Sequence, residues 1–192
     1  MTVSSLLAAS RQHRLLAGVL ITGVILAAIE IPYLVIARSG GPLRTLQAFG
    51  TPRWQDRPAP SFAVPALDGT GTVAVGHPGA GVTVLNFWAS WCTACRAEAP
   101  ELQRMSREYV TGVRFIGVDV GDRQTEARSF ERRFEITYPS GVDPHLTVAS
   151  RYGIFGLPFT FVIDRAGRIR AEIAGRINES SLRSVLARLG DT

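Results

Sequence analysis

The chain has 192 residues, of which 46% are hydrophobic and 19% charged, enough for one folded domain of ordinary size and an additional segment. Its net charge of +5 arises mainly before residue 58, where six arginines face two acids, whereas the remainder carries fifteen arginines and fourteen acids. The folded part therefore lacks the basic excess of a nucleic-acid-binding protein, and we expect no nucleic acid partner. The absence of lysine excludes Schiff-base catalysis.

The N-terminal part contains one long apolar run. Residues 1–14 are predicted to be a short tail, and residues 15–37 are almost continuously apolar. A helix of this length crosses a hydrocarbon layer of about 30 Å, and the run is longer than the roughly 7–15 residues of a signal-peptide core. We predict a transmembrane signal anchor, with a signal peptide cleaved at a site formed by residues 35–37 as the alternative. The arginines that flank the run are balanced, so charge alone does not set its orientation.

Residues 38–57 are rich in Gly, Pro and Arg and are predicted to be a linker, followed by a folded domain at residues 58–192. The pattern predicts a hairpin at 62–64 and 72–75, a strand at 82–88, a helix from 93 to about 110, a strand at 113–120, a helix at 124–134, a short helix from Asp143 to Tyr152, a hairpin at 159–163 and 168–174, and a helix from Asn178 to 189. Parallel strands need crossover helices and the late strands can pair antiparallel. The prediction is an α/β fold with a mixed central sheet flanked by helices.

The two cysteines, Cys92 and Cys95, follow directly on the predicted buried strand, where the next helix begins. The free N–H groups and positive dipole end of that helix favour the thiolate form of Cys92, and a thiolate is the nucleophile in disulfide exchange. Three residues further on, Cys95 lies on the same face of the first turn, close enough to resolve a mixed disulfide. A disulfide that closes so small a loop restrains the unfolded chain very little, so a purely structural role is disfavoured.

Two thiols at this spacing also have uses other than disulfide exchange. A zinc site needs a second pair of ligands, which the sequence does not supply. A Cu(I) site with two thiolates and His145 as a distant third ligand is chemically sensible, and two inert buried thiols are the simplest alternative. A peroxidase is disfavoured because no Thr-x-x-Cys motif precedes the pair.

The run NFWASWCTACR at residues 86–96 resembles the active site of the thioredoxin superfamily, in particular the TlpA-like branch that includes ResA and CcmG. The resemblance covers roughly residues 58–189 and extends to three further groups of residues: Pro60-Ser61-Phe62 with Asp68-Gly69, Glu98-x-Pro100-x-Leu102, and the run from Gly156 to Asp164. It implies a thioredoxin-like fold and a membrane-tethered reductant of the kind used in cytochrome c maturation.

The resemblance also implies roles around the cysteines. It implies a cis peptide between Leu157 and Pro158 beside the sulfurs, with Leu157 offering backbone groups to an extended substrate. Trp91 is expected to shape the apolar surface around the cysteines. Where ordinary thioredoxins carry a buried Asp, this chain has Asn86, which cannot take a proton from Cys95. Asp122 is our candidate for that task, and a solvated loop carboxylate is its alternative interpretation.

We therefore expect a thiol–disulfide oxidoreductase that acts on cysteine-containing exported proteins and is re-reduced by a membrane electron donor. The dipeptide between the cysteines contains no histidine, which favours a reductant over a strong oxidant; a disulfide-forming oxidant and a Cu(I)-binding module remain the alternatives. No metal or cofactor is expected beyond the redox-active Cys92–Cys95 disulfide. The location expected from this function is the cell membrane, with a single span and the thioredoxin-like domain outside the cytoplasm.

Overall fold

The computed structural model describes residues 50–76 and 81–190. Its strands are β1 (Arg53–Pro58), β2 (Phe62–Pro65), β3 (Thr72–Val75), β4 (Val82–Trp88), β5 (Val113–Val120), β6 (Ser140–Asp143), β7 (Phe159–Ile163) and β8 (Arg168–Ala174). Its helices are α1 (Thr93–Glu108), α2 (Gln124–Arg133), α3 (Thr147–Tyr152) and α4 (Glu179–Gly190).

Six strands form the central sheet in the order β1-β8-β7-β4-β5-β6, and β2 pairs with β3 in a separate hairpin. The central strand β4 is parallel to β5 and antiparallel to β7, and β5 is parallel to β6. The helices α1 and α2 supply the crossovers that the parallel pairs require. The predicted α/β fold with a mixed central sheet is therefore confirmed.

The side chains of β4 alternate between the two faces of this sheet. Phe87 packs into the core on one face together with Phe161. Val84 packs on the other face against the apolar residues of α1 and α4, and Asn86 and Trp88 share that face because they follow at steps of two. All seven residues of β4 are buried. Its near-continuous apolar sequence is therefore that of a strand covered on both faces, by α1 and α4 on one face and by the core around Phe161 on the other.

Two strands differ from the sequence prediction. Residues 53–57 were assigned to the linker, but they form most of β1, which pairs antiparallel with β8 at the sheet edge. Their sequence gives no apolar period because the strand is largely exposed, and Arg53 forms an ion pair with Glu172 of β8. The four-residue β6 was not predicted, and α3 begins at Thr147 because the preceding residues extend β6 and turn after it.

Residues 1–49 lie outside the described part of the chain, and with them the predicted tail, the predicted signal anchor at 15–37 and most of the predicted linker. None of the helices in the described ranges is both long and apolar enough to span a membrane. All the described elements belong to one structural unit.

Candidate active site

The two cysteines form a disulfide at the junction between β4 and α1. Their sulfur atoms are 2.10 Å apart and their Cα atoms 5.2 Å apart. Cys92 is the N-cap of α1, with extended backbone angles, and its Sγ accepts a hydrogen bond from the backbone N–H of Cys95 across 3.1 Å. An N-cap sulfur that already receives a helix N–H is well placed to carry negative charge after reduction.

The two cysteines differ in burial. Cys92 is 6% exposed and Cys95 is 1% exposed, and both belong to an apolar cluster with Trp88 and Phe130. Trp91, which precedes Cys92, is 59% exposed. An incoming sulfur therefore meets Cys92 from the solvent side and finds an aromatic surface beside it, whereas Cys95 is reached only from within the protein.

The turn before Cys92 is held from two directions. The carboxylate of Asp122 accepts a hydrogen bond from the backbone N–H of Ser90, with 2.6 Å between Oδ2 and the nitrogen. Arg96 of α1 donates through Nε to the carbonyl oxygen of Ser90 across 2.8 Å. Asp122 thus lies beside the active-site turn, where it fixes the backbone.

The segment before β7 contributes Leu157 and Pro158 to the site. The peptide bond between Leu157 and Pro158 is cis, as the resemblance implies, and the side chain of Leu157 packs against the apolar cluster that contains the cysteines. The backbone of Leu157 makes no hydrogen bond to any other residue that the structure describes. Its N–H and C=O are therefore available to an extended partner.

A buried acid that entered the sequence prediction only as part of the resemblance lies one helical turn beyond Cys95. Glu98 is 1% exposed and accepts hydrogen bonds from the side-chain amide of Asn86 across 2.9 Å and from the backbone N–H of Ile177 across 2.8 Å. Burial raises the pKa of Glu98 to about 7, although both hydrogen bonds act to lower the pKa. Glu98 follows Cys95 by three residues, so both side chains lie on one face of α1.

Asp119, near the end of β5, is a second buried acid. It is 2% exposed, and it is the register partner of Trp88 in the adjacent strand. Burial raises the pKa of Asp119 to about 8, with further contributions from the nearby carboxylates of Asp122 and Glu131. In the sequence prediction Asp119 is only a residue of the strand at 113–120, and Asp122 is the candidate acid.

The structure thus places most of the predicted site residues around one disulfide. Cys92, Cys95 and Leu157 share the apolar cluster, Trp91 is exposed at its edge, and Asp122 is linked to it through Ser90. His145 is exposed, and no group of three or more His, Cys, Asp or Glu side chains able to hold a metal occurs in the described parts of the chain. The signal that could have identified Glu98 is its i+3 spacing from Cys95.

Comparisons with known proteins identify relatives of most of the folded domain. The sequence model of the AhpC/TSA family matches residues 56–172. The thiol:disulfide interchange protein DsbE of Allochromatium vinosum is 36% identical over 129 residues, which cover 64% of this chain and 68% of that protein. The thiol-disulfide oxidoreductase ResA of Geobacillus thermodenitrificans is 33% identical over 129 residues, or 67% of this chain and 74% of that protein.

A crystal structure of a DsbF homologue from Corynebacterium diphtheriae is similar to this chain, with a TM-score of 0.66 and 26% identity, and covers 72% of this chain and 93% of that one. The fold and the disulfide at the start of α1 define a thioredoxin-fold thiol–disulfide oxidoreductase, an enzyme whose substrates are proteins that contain cysteines. The chain belongs to the AhpC/TSA family and is a ResA-like member of the thioredoxin superfamily.

Proposed function

We propose that this enzyme reduces disulfides of exported proteins on the outer side of a membrane, to which residues 15–37 anchor it. Apocytochrome c cysteines are the proposed substrate, in line with the resemblance to membrane-tethered reductants of cytochrome c maturation. The oxidised enzyme is then reduced again by a membrane electron donor. The observation that carries the exchange mechanism is the position of the disulfide, with Cys92 at the start of α1 and Cys95 buried behind it.

In the proposed cycle, the Cys92 thiolate attacks a substrate disulfide, and one substrate sulfur leaves as a thiolate that takes up a proton. Cys95 then loses its proton and attacks the Cys92 sulfur of the mixed disulfide, which releases the second substrate thiolate. Two electrons have passed to the substrate, and the Cys92–Cys95 disulfide has formed. A reductant outside the enzyme supplies two electrons and two protons to restore the dithiol.

The step at Cys95 needs a proton acceptor inside the protein. Asn86, at the position where ordinary thioredoxins carry an acid, donates its amide to Glu98 and to Thr160, and so has no role as a base. Glu98 is a buried carboxyl group on the same face of α1, with a pKa raised to about 7 by burial. We assign Glu98 this role and treat Asp122 as the anchor of the Ser90 turn, since Asp122 binds backbone N–H groups of Ser90 and Arg123.

The substrate is proposed to lie across the cysteines as an extended segment. The free backbone groups of Leu157 pair with it on one side. The exposed rings of Trp91, next to Cys92 in the chain, and of Phe155, two residues before Leu157, at 59% and 78%, offer apolar contacts. This arrangement suits flexible peptide segments around a cysteine better than a folded surface.

The experiment that tests the proposal is the trapping of substrates in intact cells with Cys95→Ser. This variant should accumulate covalent complexes that dissolve on addition of a reductant, and mass spectrometry of the partners identifies both substrate and compartment. Cys92→Ser with Cys95 intact is the matched control, and it should trap no partners. Recovery of only cytoplasmic proteins, or of none, would show that the proposed location and substrate are wrong.

The direction of electron flow is tested separately by equilibrating the purified protein with glutathione buffers. A reduction potential near that of thioredoxin, about −270 mV, is the expected result for a reductant. A value well above about −200 mV would instead make the chain a disulfide-forming oxidant.

A further inference from the structure

Leu146 presents an apolar side chain from a backbone conformation that is unfavourable for leucine. It lies in the turn between β6 and α3, and its φ of 57° and ψ of 23° belong to the left-handed region. This region favours Gly and Asn over residues with a bulky side chain. The side chain of Leu146 is also 49% exposed, so burial in the core does not account for a leucine at this position. Residues held in such conformations are frequent at functional sites.

The backbone of Leu146 is held by Asp143, the last residue of β6. The carbonyl oxygen of Asp143 accepts hydrogen bonds from the N–H of Leu146 across 3.3 Å and from the N–H of Gly121 across 3.1 Å. Its carboxylate accepts from the N–H groups of the first three residues of α3, at 2.8, 2.9 and 2.9 Å. Asp143 is itself 3% exposed. The turn that carries Leu146 is therefore fixed to the end of the sheet, and its side chain is preorganised for a contact.

The sheet topology places Leu146 at the same end of the sheet as the cysteines. The strands β4, β5 and β6 are parallel, so they end on the same side, and β7, which is antiparallel to β4, begins there. In the order β7-β4-β5-β6, the start of β7 lies on one side of the end of β4, and the ends of β5 and β6 lie on the other. Leu157, before β7, and Leu146, after β6, therefore flank Cys92.

Two residues after β5 connect Leu146 with the active-site turn. A Cβ atom at Gly121 would lie 3.3 Å from Cδ1 of Leu146, so the leucine side chain lies against this glycine. The next residue, Asp122, accepts the hydrogen bond from the N–H of Ser90 that fixes the turn before Cys92. The exposed side chain of Leu146 thus extends the surface around the disulfide towards β6.

We propose that Leu146 is a specificity-determining residue, which contacts a large apolar side chain of the substrate about three residues from the cysteine that Cys92 attacks. The strand β6 is two positions from β4 in the sheet. Neighbouring strands are about 4.8 Å apart, so the separation is about 10 Å, which an extended chain covers in about three residues. A polar side chain at this place would lose water without gaining a partner. The inference rests on the proposed binding of an extended substrate segment.

The first test measures how fast the dithiol form of the full-length chain reduces symmetrical peptide disulfides. Each peptide has one cysteine in a segment of Ser and Gly, with a single Leu placed one to four residues before or after the cysteine. One dimer takes up two electrons and two protons, which gives two peptide thiols and leaves the disulfide between Cys92 and Cys95. With Leu about three residues from the cysteine, on one side of it, the second-order rate constant should be about tenfold higher than with Ser there.

Variants at position 146 show whether this preference arises from the leucine side chain. Leu146→Asn and Leu146→Gly suit the left-handed region but remove the apolar contact, so both should lower the preference to about twofold or less and leave the rate with the Ser peptide unchanged. Leu146→Met keeps an apolar side chain and should keep the preference. Val110→Asn is the matched control, because Val110 is 78% exposed and precedes β5, at the opposite end of the sheet; it should also keep the preference.

Equal rates with Leu and Ser at every position, or a preference that survives in Leu146→Asn, overturn the proposal. The melting temperature of Leu146→Asn should stay within about 3 °C of the wild-type value, because relief of the backbone offsets the lost contact with Gly121. Equal slowing with both peptides would show a structural role instead, which also overturns the proposal. If Leu146→Asn fails to fold, Leu146→Gly decides.

The same preference is expected if the chain acts as an oxidant. The disulfide form is then mixed with the peptide thiols, and the preference persists because both directions pass through the same mixed disulfide. Reaction without a preference contradicts the role of Leu146 alone. A chain that reacts with none of the peptides in either direction contradicts the proposed function as well.

Discussion

The side-chain amide of Asn86 donates a hydrogen bond to Oε1 of Glu98 across 2.9 Å, which joins the central strand of the sheet to α1 directly below the cysteines. The same amide donates to Oγ1 of Thr160 in β7 across 3.0 Å. Ile177, 79 residues further along the chain, donates its backbone N–H to the other oxygen of Glu98. A carboxyl group that is 1% exposed thus accepts hydrogen bonds from two separate segments of the domain, and one of its donors is itself held by a third.

Glu98→Gln should change how the stability of the protein depends on pH. Burial raises the pKa of Glu98 from 4.5 to about 7, so the native state binds its proton more tightly than the unfolded chain does. This contribution to stability is fully present below pH 4.5 and is lost as the pH rises through 7. Relative to the wild type, the free energy of unfolding of Glu98→Gln should therefore increase by roughly 3 kcal/mol between about pH 4.5 and about pH 8.

Urea denaturation of both oxidised proteins at several pH values measures this difference. Glu126→Gln, a change at an exposed carboxyl group on α2, is the control for the loss of one acid. A difference for Glu98→Gln that stays constant with pH would show that Glu98 is ionised in the folded protein throughout this range.

The same substitution should slow the second half of the exchange reaction. Gln cannot accept a proton from Cys95, so release of the mixed disulfide should slow by about a hundredfold near neutral pH, whereas formation of the mixed disulfide by Cys92 should change little. Rapid acid quenching followed by mass spectrometry separates the two steps. Equal slowing of both steps, or of neither, argues against Glu98 as the acceptor.

In the reduced protein, iodoacetamide should modify Cys92 before Cys95. Cys92 lies at the start of α1 on the solvent side, and Cys95 is 1% exposed. We expect the rate at Cys92 to be at least about tenfold higher near pH 7. Peptide mass spectrometry after short reaction times gives both rates, with Cys95→Ser as the control for Cys92 alone. Comparable rates would mean that burial does not separate the two thiols.

Gly117→Ala should destabilise the domain through a local clash in β5. A Cβ atom at this position would lie 2.5 Å from Oγ of Ser140 and 2.7 Å from Nε1 of Trp88. Both neighbours are fixed in the sheet, so the loss of stability is expected to be about 1–3 kcal/mol. Urea denaturation measures it, and Gly190→Ala, where the Cβ meets open space, is the matched control that should lose no stability.

Removing β1 should lower the melting temperature. In a chain that begins at residue 59, β8 loses its partner strand and Glu172 loses its ion pairs with Arg53 and Arg57. Compared with a chain that begins at residue 50, we expect the melting temperature to fall by about 5 °C or more.

A double substitution, Arg53→Ala with Arg57→Ala, separates the contribution of the ion pairs with Glu172 from that of the backbone pairing between β1 and β8. Exposed ion pairs contribute little, so this variant should reproduce only a small part of the loss. Calorimetry measures the melting temperatures of the two shortened chains and of the double variant. Equal melting temperatures of the two shortened chains would show that the backbone pairing of β1 adds nothing.

The strands that could be predicted from the sequence are those whose own residues carry the signal. The apolar runs of β4 and β5 gave both strands with their observed bounds, because helices and sheet bury nearly every residue in them. The strand β1 carries no such signal, because its exposed charges are paired by residues of β8 that are more than a hundred positions away. The four residues of β6 are too few for a period to be recognised.

The residues of the active site also divide into those with a local sequence signal and those whose environment depends on distant parts of the chain. Cys92 and Cys95 could be predicted because a buried strand, a helix start and their spacing are all local features. The burial of Glu98 and Asp119 could not be predicted from the sequence. These carboxyl groups are removed from water only when α1, α2 and the sheet are assembled around them. The three-residue spacing from Cys95 puts Glu98 on the same face of the helix, but nothing in the neighbouring residues indicates that its carboxyl group is buried.

The two edges of the central sheet have a consequence for how the enzyme meets extended polypeptides. The outer strand β1 carries a bulge, several charges and Pro58, all of which discourage recruitment of a foreign strand. At the opposite margin, the bridge between Ala66 and Gly141 and the bond from Leu67 to Ser140 occupy the outer side of β6 with the protein's own backbone. An extended polypeptide therefore finds little free strand edge along the described sheet, which limits co-aggregation with the enzyme. If the proposed substrate site is correct, its backbone pairs at Leu157 instead.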